Sequence, residues 1–218
     1  MTRPALVMDF GGPVLLTPFE LTRVTEARAG LPPGQLHWTG PFAPADDPQW
    51  QQWQAGQLSE RGYWARRAEE FGAVTGGPGD TRSLMTAMFA GSPETLLRPG
   101  AIALMRDARA AGVPVGVLTN DMRAFHSQEW IDRLELGQLV DSLVDGSVEG
   151  ILKPDPRIYR LAAGRLGVRC EDVVFVDDQP VNLSGATRVG MTAVPADVTR
   201  PAECFARARE LLGLPPAT

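Results

Sequence analysis

Twice in this chain a wholly apolar tetrapeptide runs straight into an aspartate: Ala5-Leu6-Val7-Met8 into Asp9, and Val173-Val174-Phe175-Val176 into Asp177-Asp178. Such runs read as strands buried on both faces, the kind found in parallel sheets. Ligands of open α/β sheets bind outside the carboxyl ends of the strands, so each run delivers carboxylates to the edge where chemistry happens. After Asp9, Gly11 and Gly12 let the backbone turn tightly and approach a bound group without a Cβ in the way. Taken alone, Asp9 is equally a residue that ends a strand and begins a turn. Two adjacent carboxylates after an apolar strand are costly unless a cation or hydrogen-bond donors compensate them, and a divalent metal is the economical explanation.

Between these runs the pattern is regular. Pro99 opens a helix with an apolar stripe of Ile102, Met105 and Ala108, and Gly112 stops it. Val113 to Leu118 then reads as a buried strand ending at Thr119-Asn120-Asp121. A helix over Met122 to Leu134 and a short strand over Leu139 to Val144 follow. Lys153 comes next, on a loop stiffened by Pro154 and Pro156, where Asp155 can cap a helix whose Ile158, Leu161, Ala162 and Leu166 face the core before Gly167. After the second acidic strand come a helix over Pro180 to Arg188, a strand over Met191 to Val194 and a helix over Pro201 to Leu212. Strands alternating with helices predict an α/β fold with a parallel core sheet.

The stretch 17–90 has a different character. Pro32, Pro33, Pro41, Pro44 and Pro48 break it, four of the five tryptophans lie in it, and no strand-like run occurs there. Helices are expected over Phe19 to Ala29, Pro48 to Ala55, Ser59 to Phe71 with Ser59 as cap, and Thr81 to Ala90. This predicts a helical domain, 17–90, inserted into a core made of 1–16 and 91–218. Trp50 and Trp53 sit three apart on one helix face and read as packing between helices, and Arg61, Arg66 and Arg67 as a solvated helix face.

Composition narrows the function classes. A chain of 218 residues, 44% hydrophobic and 22% charged, can bury a real core. The net charge of −5 and the lack of a basic stripe argue against a nucleic-acid partner. No apolar run approaches the ~20 residues that cross a bilayer, and no signal-peptide pattern opens the chain, so no membrane partner and a cytoplasmic location are expected. Cys170 and Cys204 have no metal-like spacing and read as buried thiols. Among 21 basic residues Lys153 is the one lysine, a compact ammonium in a chain otherwise committed to arginine.

Parallel strands bring Asp9, Thr119-Asn120 and Asp177-Asp178 to one edge, with Lys153 arriving on its loop. That ordered set resembles the haloacid dehalogenase superfamily over essentially the whole chain. Asp9-Phe10-Gly11-Gly12 is similar to its first motif, Leu118-Thr119-Asn120 to the second, Lys153-Pro154 to the third and Val176-Asp177-Asp178 through Asn182 to the fourth. The resemblance implies a Rossmann-like core with a helical C1 cap inserted after the first strand, nearest to the branch of the phosphatase-like domain of soluble epoxide hydrolases. It implies that Asp9 is a nucleophile toward phosphorus. It also implies that Mg²⁺ is held by Asp9, the Gly11 carbonyl and Asp178, with Asp177 as a further ligand or outer acceptor. Gly12, Thr119 and Asn120 would contact the phosphoryl group, Lys153 would offset charge, and Asn182 would orient the metal shell or the lysine. The implied partner is a small phosphorylated metabolite, bound by a monomer or homodimer, with the insert closing over the sheet edge and choosing the substrate.

One departure matters. The superfamily's commonest first motif has a second aspartate two residues after the nucleophile as general acid/base, and here Gly11 stands there. The missing acid costs on the order of 10²–10⁴ in rate for a poor leaving group. Asp121, His126 and His37 are the candidate replacements. Haloacid dehalogenases also lack that aspartate and need no metal, which makes a metal-independent 2-haloacid dehalogenase the rival reading. A binding or regulatory protein of low activity is a third.

Overall fold

The computed structural model describes residues 4–216 and divides into two compact units, one of 1–16 with 93–218 and one of 17–92. The second crossing thus falls at Ser92/Pro93, slightly after the expected 90/91.

The first unit is built on a five-stranded, all-parallel sheet: β1 (Ala5–Met8), β2 (Val115–Thr119), β3 (Ser142–Asp145), β4 (Val173–Asp177) and β5 (Thr192–Pro195). Their spatial order is β3-β2-β1-β4-β5, so the chain builds outward on one side of β1 and then crosses to the other. That reversal leaves a crevice at the carboxyl ends of β1 and β4, the preferred ligand position in such sheets. Helices Pro156–Arg165 and Pro180–Arg188 cover one face, where Val7, Leu118 and Phe175 pack against Ile158, Tyr159, Ala162, Ala163 and Ala186. Helices Pro99–Ala110 and Pro201–Leu212 pack together on the other face.

The chain leaves and re-enters this unit through a stitched pair of segments. Leu16 N–H donates to Leu96 O at 2.8 Å, Leu15 bridges Leu97 in antiparallel fashion, and Arg98 N–H donates to Val14 O at 2.8 Å.

The second unit holds helices Pro18–Arg28, Pro48–Gln54, Glu60–Thr75 and Thr81–Met88, and no strand among the described residues. Ser59 and Asp80 cap the last two by accepting from Gly62 N and Ser83 N. Its core is aromatic: Trp64 and Tyr63 meet edge-on at 4.9 Å and Phe19 lies 5.2 Å from Trp64. Trp53 joins that cluster 5.4 Å from Tyr63, yet it and Trp50 are only half-buried, since helix 48–54 buries none of its own residues.

Several sequence expectations change. The helix expected over 122–134 is two pieces, Met122–Phe125 and Gln128–Arg133, because His126 is extended (φ −118°, ψ 150°) and Ser127 starts a new helix by capping Trp130 N. The strand expected over 139–144 begins only at Ser142, after a 3-10 turn at Leu136–Gln138. Ile102, Leu161 and Leu166 are half-buried, and Leu104, Tyr159 and Ala163 take the central core positions. Cys204 is buried, whereas Cys170 is half-buried. Arg67 is no solvated residue: it is 6% exposed, inside the second unit's core.

Candidate active site

Asp9 follows the last residue of β1, and its N–H completes the ladder to Val176 O at 2.8 Å, which sets it beside the end of β4. Its Oδ1 accepts from Phe10 N–H at 2.7 Å and from the Lys153 ammonium at 2.8 Å. Its Oδ2 has no hydrogen-bond partner among the described residues. Burial pushes the Asp9 carboxyl up to about 7; Lys153 opposes that shift and Asp177 adds to it.

The turn after Asp9 folds back on itself, with Val14 N–H and Leu15 N–H donating to Phe10 O at 3.2 and 2.8 Å. Gly12 takes φ +91°, and a Cβ there would come 3.0 Å from the Asp178 carboxylate, so only glycine lets the first loop lie this close to the fourth. Gly11 is exposed, and a Cβ on it would meet nothing within 4 Å. Nothing in the fold demands a glycine at 11.

Lys153 has its side chain 1% exposed, with its Nζ 2.7 Å from Asp177 Oδ2 and 2.8 Å from Asp9 Oδ1. Burial disfavours the ammonium, but the carboxylates of Asp177 and Asp9 outweigh it and hold the lysine's pKa above its ordinary value. Asp177, fully buried, also accepts from Gln179 N–H at 2.8 Å and from Asn182 Nδ2 at 3.2 Å to each oxygen. Asn182 is itself fixed, because Tyr159 O–H donates to its carbonyl at 2.8 Å. Asp178 is half-buried and accepts from Gln179 Nε2 at 3.3 Å.

One carboxylate oxygen each from Asp9, Asp177 and Asp178 lie within 4.8 Å of one another. An all-oxygen cluster of this size suits a hard divalent cation. Donors engage both oxygens of Asp177, whereas Asp9 keeps Oδ2 without a donor among the described residues.

Thr119, at the end of β2, is 6% exposed, and its hydroxyl makes no hydrogen bond among the described residues. Asn120 behaves differently: its Oδ1 accepts from Lys153 N–H at 2.7 Å and its Nδ2 donates to Lys153 O at 3.3 Å. The amide expected to face a phosphoryl group is thus turned onto the lysine loop. Of the candidate acids, Asp121 and His126 are buried in the first unit and His37 is exposed in the second. His126 stacks on Trp130 at 3.9 Å, and Trp130 meets Phe10 edge-on at 6.4 Å.

Sequence reasoning missed Arg98. Its guanidinium, 6% exposed, donates from Nε to Gly12 O at 2.5 Å and holds the first loop in place. The only sequence signal is a charged residue just before Pro99, and no local pattern links it to Gly12.

A family model for haloacid dehalogenase-like hydrolases matches residues 21–190. The chain belongs to this family. It is 35% identical over 99 residues to phosphatase MT3486 of Mycobacterium tuberculosis, covering 45% of this chain and 46% of that one. It is 30% identical over 115 residues to (S)-2-haloacid dehalogenase 4A of Burkholderia cepacia, covering 53% and 49%. The chain spans about half or less of the length of these and other leading curated relatives. Among solved structures, the putative beta-phosphoglucomutase from Thermotoga maritima superposes with a TM-score of 0.60 at 19% identity, covering 95% of this chain and 99% of that one, which shows the shared fold. The family is one of hydrolases, and both phosphatases and dehalogenases are among the relatives of this chain.

Proposed function

We propose that this hydrolase is a Mg²⁺-dependent phosphatase of small phosphorylated metabolites in which Asp9 is the nucleophile. The observation that carries the reading is the acid gathered at the sheet edge: carboxylate oxygens of Asp9, Asp177 and Asp178 lie within 4.8 Å of one another, and Lys153 Nζ pairs with the first two. A dianionic ester approaches such a pocket only if a further cation balances it. Asp9, Asp178 and the Gly11 carbonyl would hold that ion, and Asp177 anchors the lysine. When bound, Mg²⁺ supplies positive charge to the phosphoryl oxygens and lowers the repulsion between ester and nucleophile.

The chain's own residues do the rest. Lys153 and Phe10 N–H hold Asp9 Oδ1, which aims Oδ2 at phosphorus. Oδ2 forms the new O–P bond as the ester O–P bond breaks, and the leaving oxygen takes its proton from water. A second water then attacks phosphorus, passing its proton to the hydroxide left by the first as the Asp9 O–P bond breaks, which frees inorganic phosphate and restores the carboxylate. Thr119 O–H donates to a phosphoryl oxygen, and the ammonium of Lys153 offsets charge that builds in the transition state. With Gly11 in place of an acid, the favoured leaving groups are weakly basic ones.

The experiment is release of p-nitrophenol from p-nitrophenyl phosphate with Mg²⁺ or with a chelator. Turnover is expected only with the metal. The dehalogenase reading draws on the Burkholderia relative and on the open position at Gly11. Chloride release from 2-chloropropionate in chelator, without phosphatase activity, would establish it instead.

A further inference from the structure

We infer that Asn120 is a positioning residue that acts through the main chain of Lys153 and sets where the ammonium starts from. Resting on the hydrolytic reading of the same site, this inference deepens it by moving Asn120 from the substrate's contacts to the lysine's support. The carboxamide spans thirty-three residues of sequence to make two bonds to one residue: Oδ1 accepts from Lys153 N–H at 2.7 Å and Nδ2 donates to Lys153 O at 3.3 Å. A backbone N–H can only donate and a backbone carbonyl only accept, so these partners fix which way the amide points.

The loop is held from other sides as well. A Cβ on Gly146 would come 2.7 Å from Ile151 O and 3.4 Å from Asn120 Cα, so glycine there lets the lysine loop lie against the end of β2. A Cβ on Gly185 would come 2.9 Å from Pro154 Cβ and 2.7 Å from Tyr159 Oη, so helix Pro180–Arg188 also lies close against the loop. Those contacts hold Pro154 and Ile151, and Asn120 holds the residue between them that matters. Lysine needs this support because its ammonium sits on a flexible four-carbon stem and cannot aim itself, whereas here Nζ must meet two carboxylates at 2.7 and 2.8 Å. Small misplacements at a catalytic centre cost up to ~10²-fold in rate.

The test uses the full chain, with Asn120→Ala and Asn120→Asp compared with wild type. In the aspartate variant an oxygen still accepts from Lys153 N–H; in the alanine variant none does. Two readouts are taken. Hydrogen exchange of the Lys153 amide is expected to lose protection in Asn120→Ala and to regain it in Asn120→Asp, whether or not the protein turns over substrate. Kinetics with p-nitrophenyl phosphate and Mg²⁺ are expected to show kcat down about tenfold or more in Asn120→Ala, with KM and inhibition by inorganic phosphate within about twofold of wild type. Unchanged exchange at Lys153 in Asn120→Ala would overturn the inference. So would a large rise in KM and in the inhibition constant for phosphate with kcat preserved, the pattern of a substrate-gripping amide. Wild type with no phosphatase activity defeats the underlying reading alone, and the exchange result still decides whether Asn120 holds the loop.

Discussion

Each unit buries a cation against carboxylates, and the two arrangements differ in whether they are finished. In the inserted unit, Asp47 is fully buried and each of its oxygens accepts two hydrogen bonds: Oδ2 from Tyr63 O–H at 2.7 Å and Gly40 N–H at 3.2 Å, Oδ1 from Trp50 N–H at 2.9 Å and Arg67 Nη2 at 2.5 Å. Arg67 also donates to Glu70 at 2.8 Å and lies 4.8 Å from the Tyr63 ring centroid, although its Nε lacks an acceptor. Glu70 in turn takes Trp38 Nε1 at 2.8 Å and Gln49 Nε2 at 2.9 Å. In the sheet unit one lysine pairs with two of three clustered carboxylates, Asp9 keeps an oxygen without a donor among the described residues, and the neighbouring Gly11 opens to solvent. The first arrangement is closed by donors from its own chain and fastens helices together. The second leaves an oxygen of Asp9 without a donor among the described residues, and it is there that the proposed ion and anionic substrate would enter.

The comparison is exposed to direct tests. Asp9→Asn is expected to lower Mg²⁺-dependent turnover of p-nitrophenyl phosphate by on the order of 10³-fold or more while the protein stays folded by circular dichroism. Retained turnover would remove Asp9 from the chemistry. Asp47→Ala is expected to cost about 3–5 kcal/mol in urea-induced unfolding, since it strands Arg67 in a buried setting with one partner fewer. A loss below about 1 kcal/mol would mean that water had already solvated the cluster, and the contrast between the two units would fail.

Gly11→Asp is expected to raise turnover of an alkyl phosphate about tenfold and to leave the aryl phosphate unchanged, because only the poor leaving group lacks its proton donor. Steric objection is absent, as a Cβ there meets nothing within 4 Å. No change with either ester would sink the missing-acid account.

A further effect concerns pH. With its carboxyl raised from 3.8 to about 7, the folded protein holds a proton on Asp9 that the unfolded chain has released, so the group's stabilisation is complete below pH ~4 and is lost as pH rises through about 7. In chelator, the melting temperature of wild type should therefore fall between about pH 5 and 8 relative to that of Asp9→Asn. A parallel pair of curves would show that Asp9 is ionised throughout.

What the sequence discloses and what it hides divides along the range of the interactions. β1 and β4 are legible because an apolar run that stops at an acid has few other structural uses, and helices 180–188 and 201–212 because proline opens each at its first turn. The break at His126 is hidden, since the apolar spacing continues across it and only the Ser127 cap, formed in three dimensions, favours a restart. Of the site, the residue types and their order are readable in one dimension. Their division of labour is not: that Asn120 turns to Lys153, that Arg98 holds Gly12 and that Arg67 pairs with Asp47 depends on contacts across 33, 86 and 20 residues of chain. Nothing in a local pattern encodes such pairings.

The stitched segments at Leu15–Leu97 and Val14–Arg98 carry a consequence for how such a chain can be remodelled. Because the sheet unit itself ties the outgoing strand to the returning one, the ends of any intervening stretch are already brought together, and lengthening that stretch adds only the slow logarithmic penalty of a longer loop. The position between Leu16 and Pro93 is therefore a socket: helical cassettes of different size and lining can be exchanged there while the sheet unit keeps its shape.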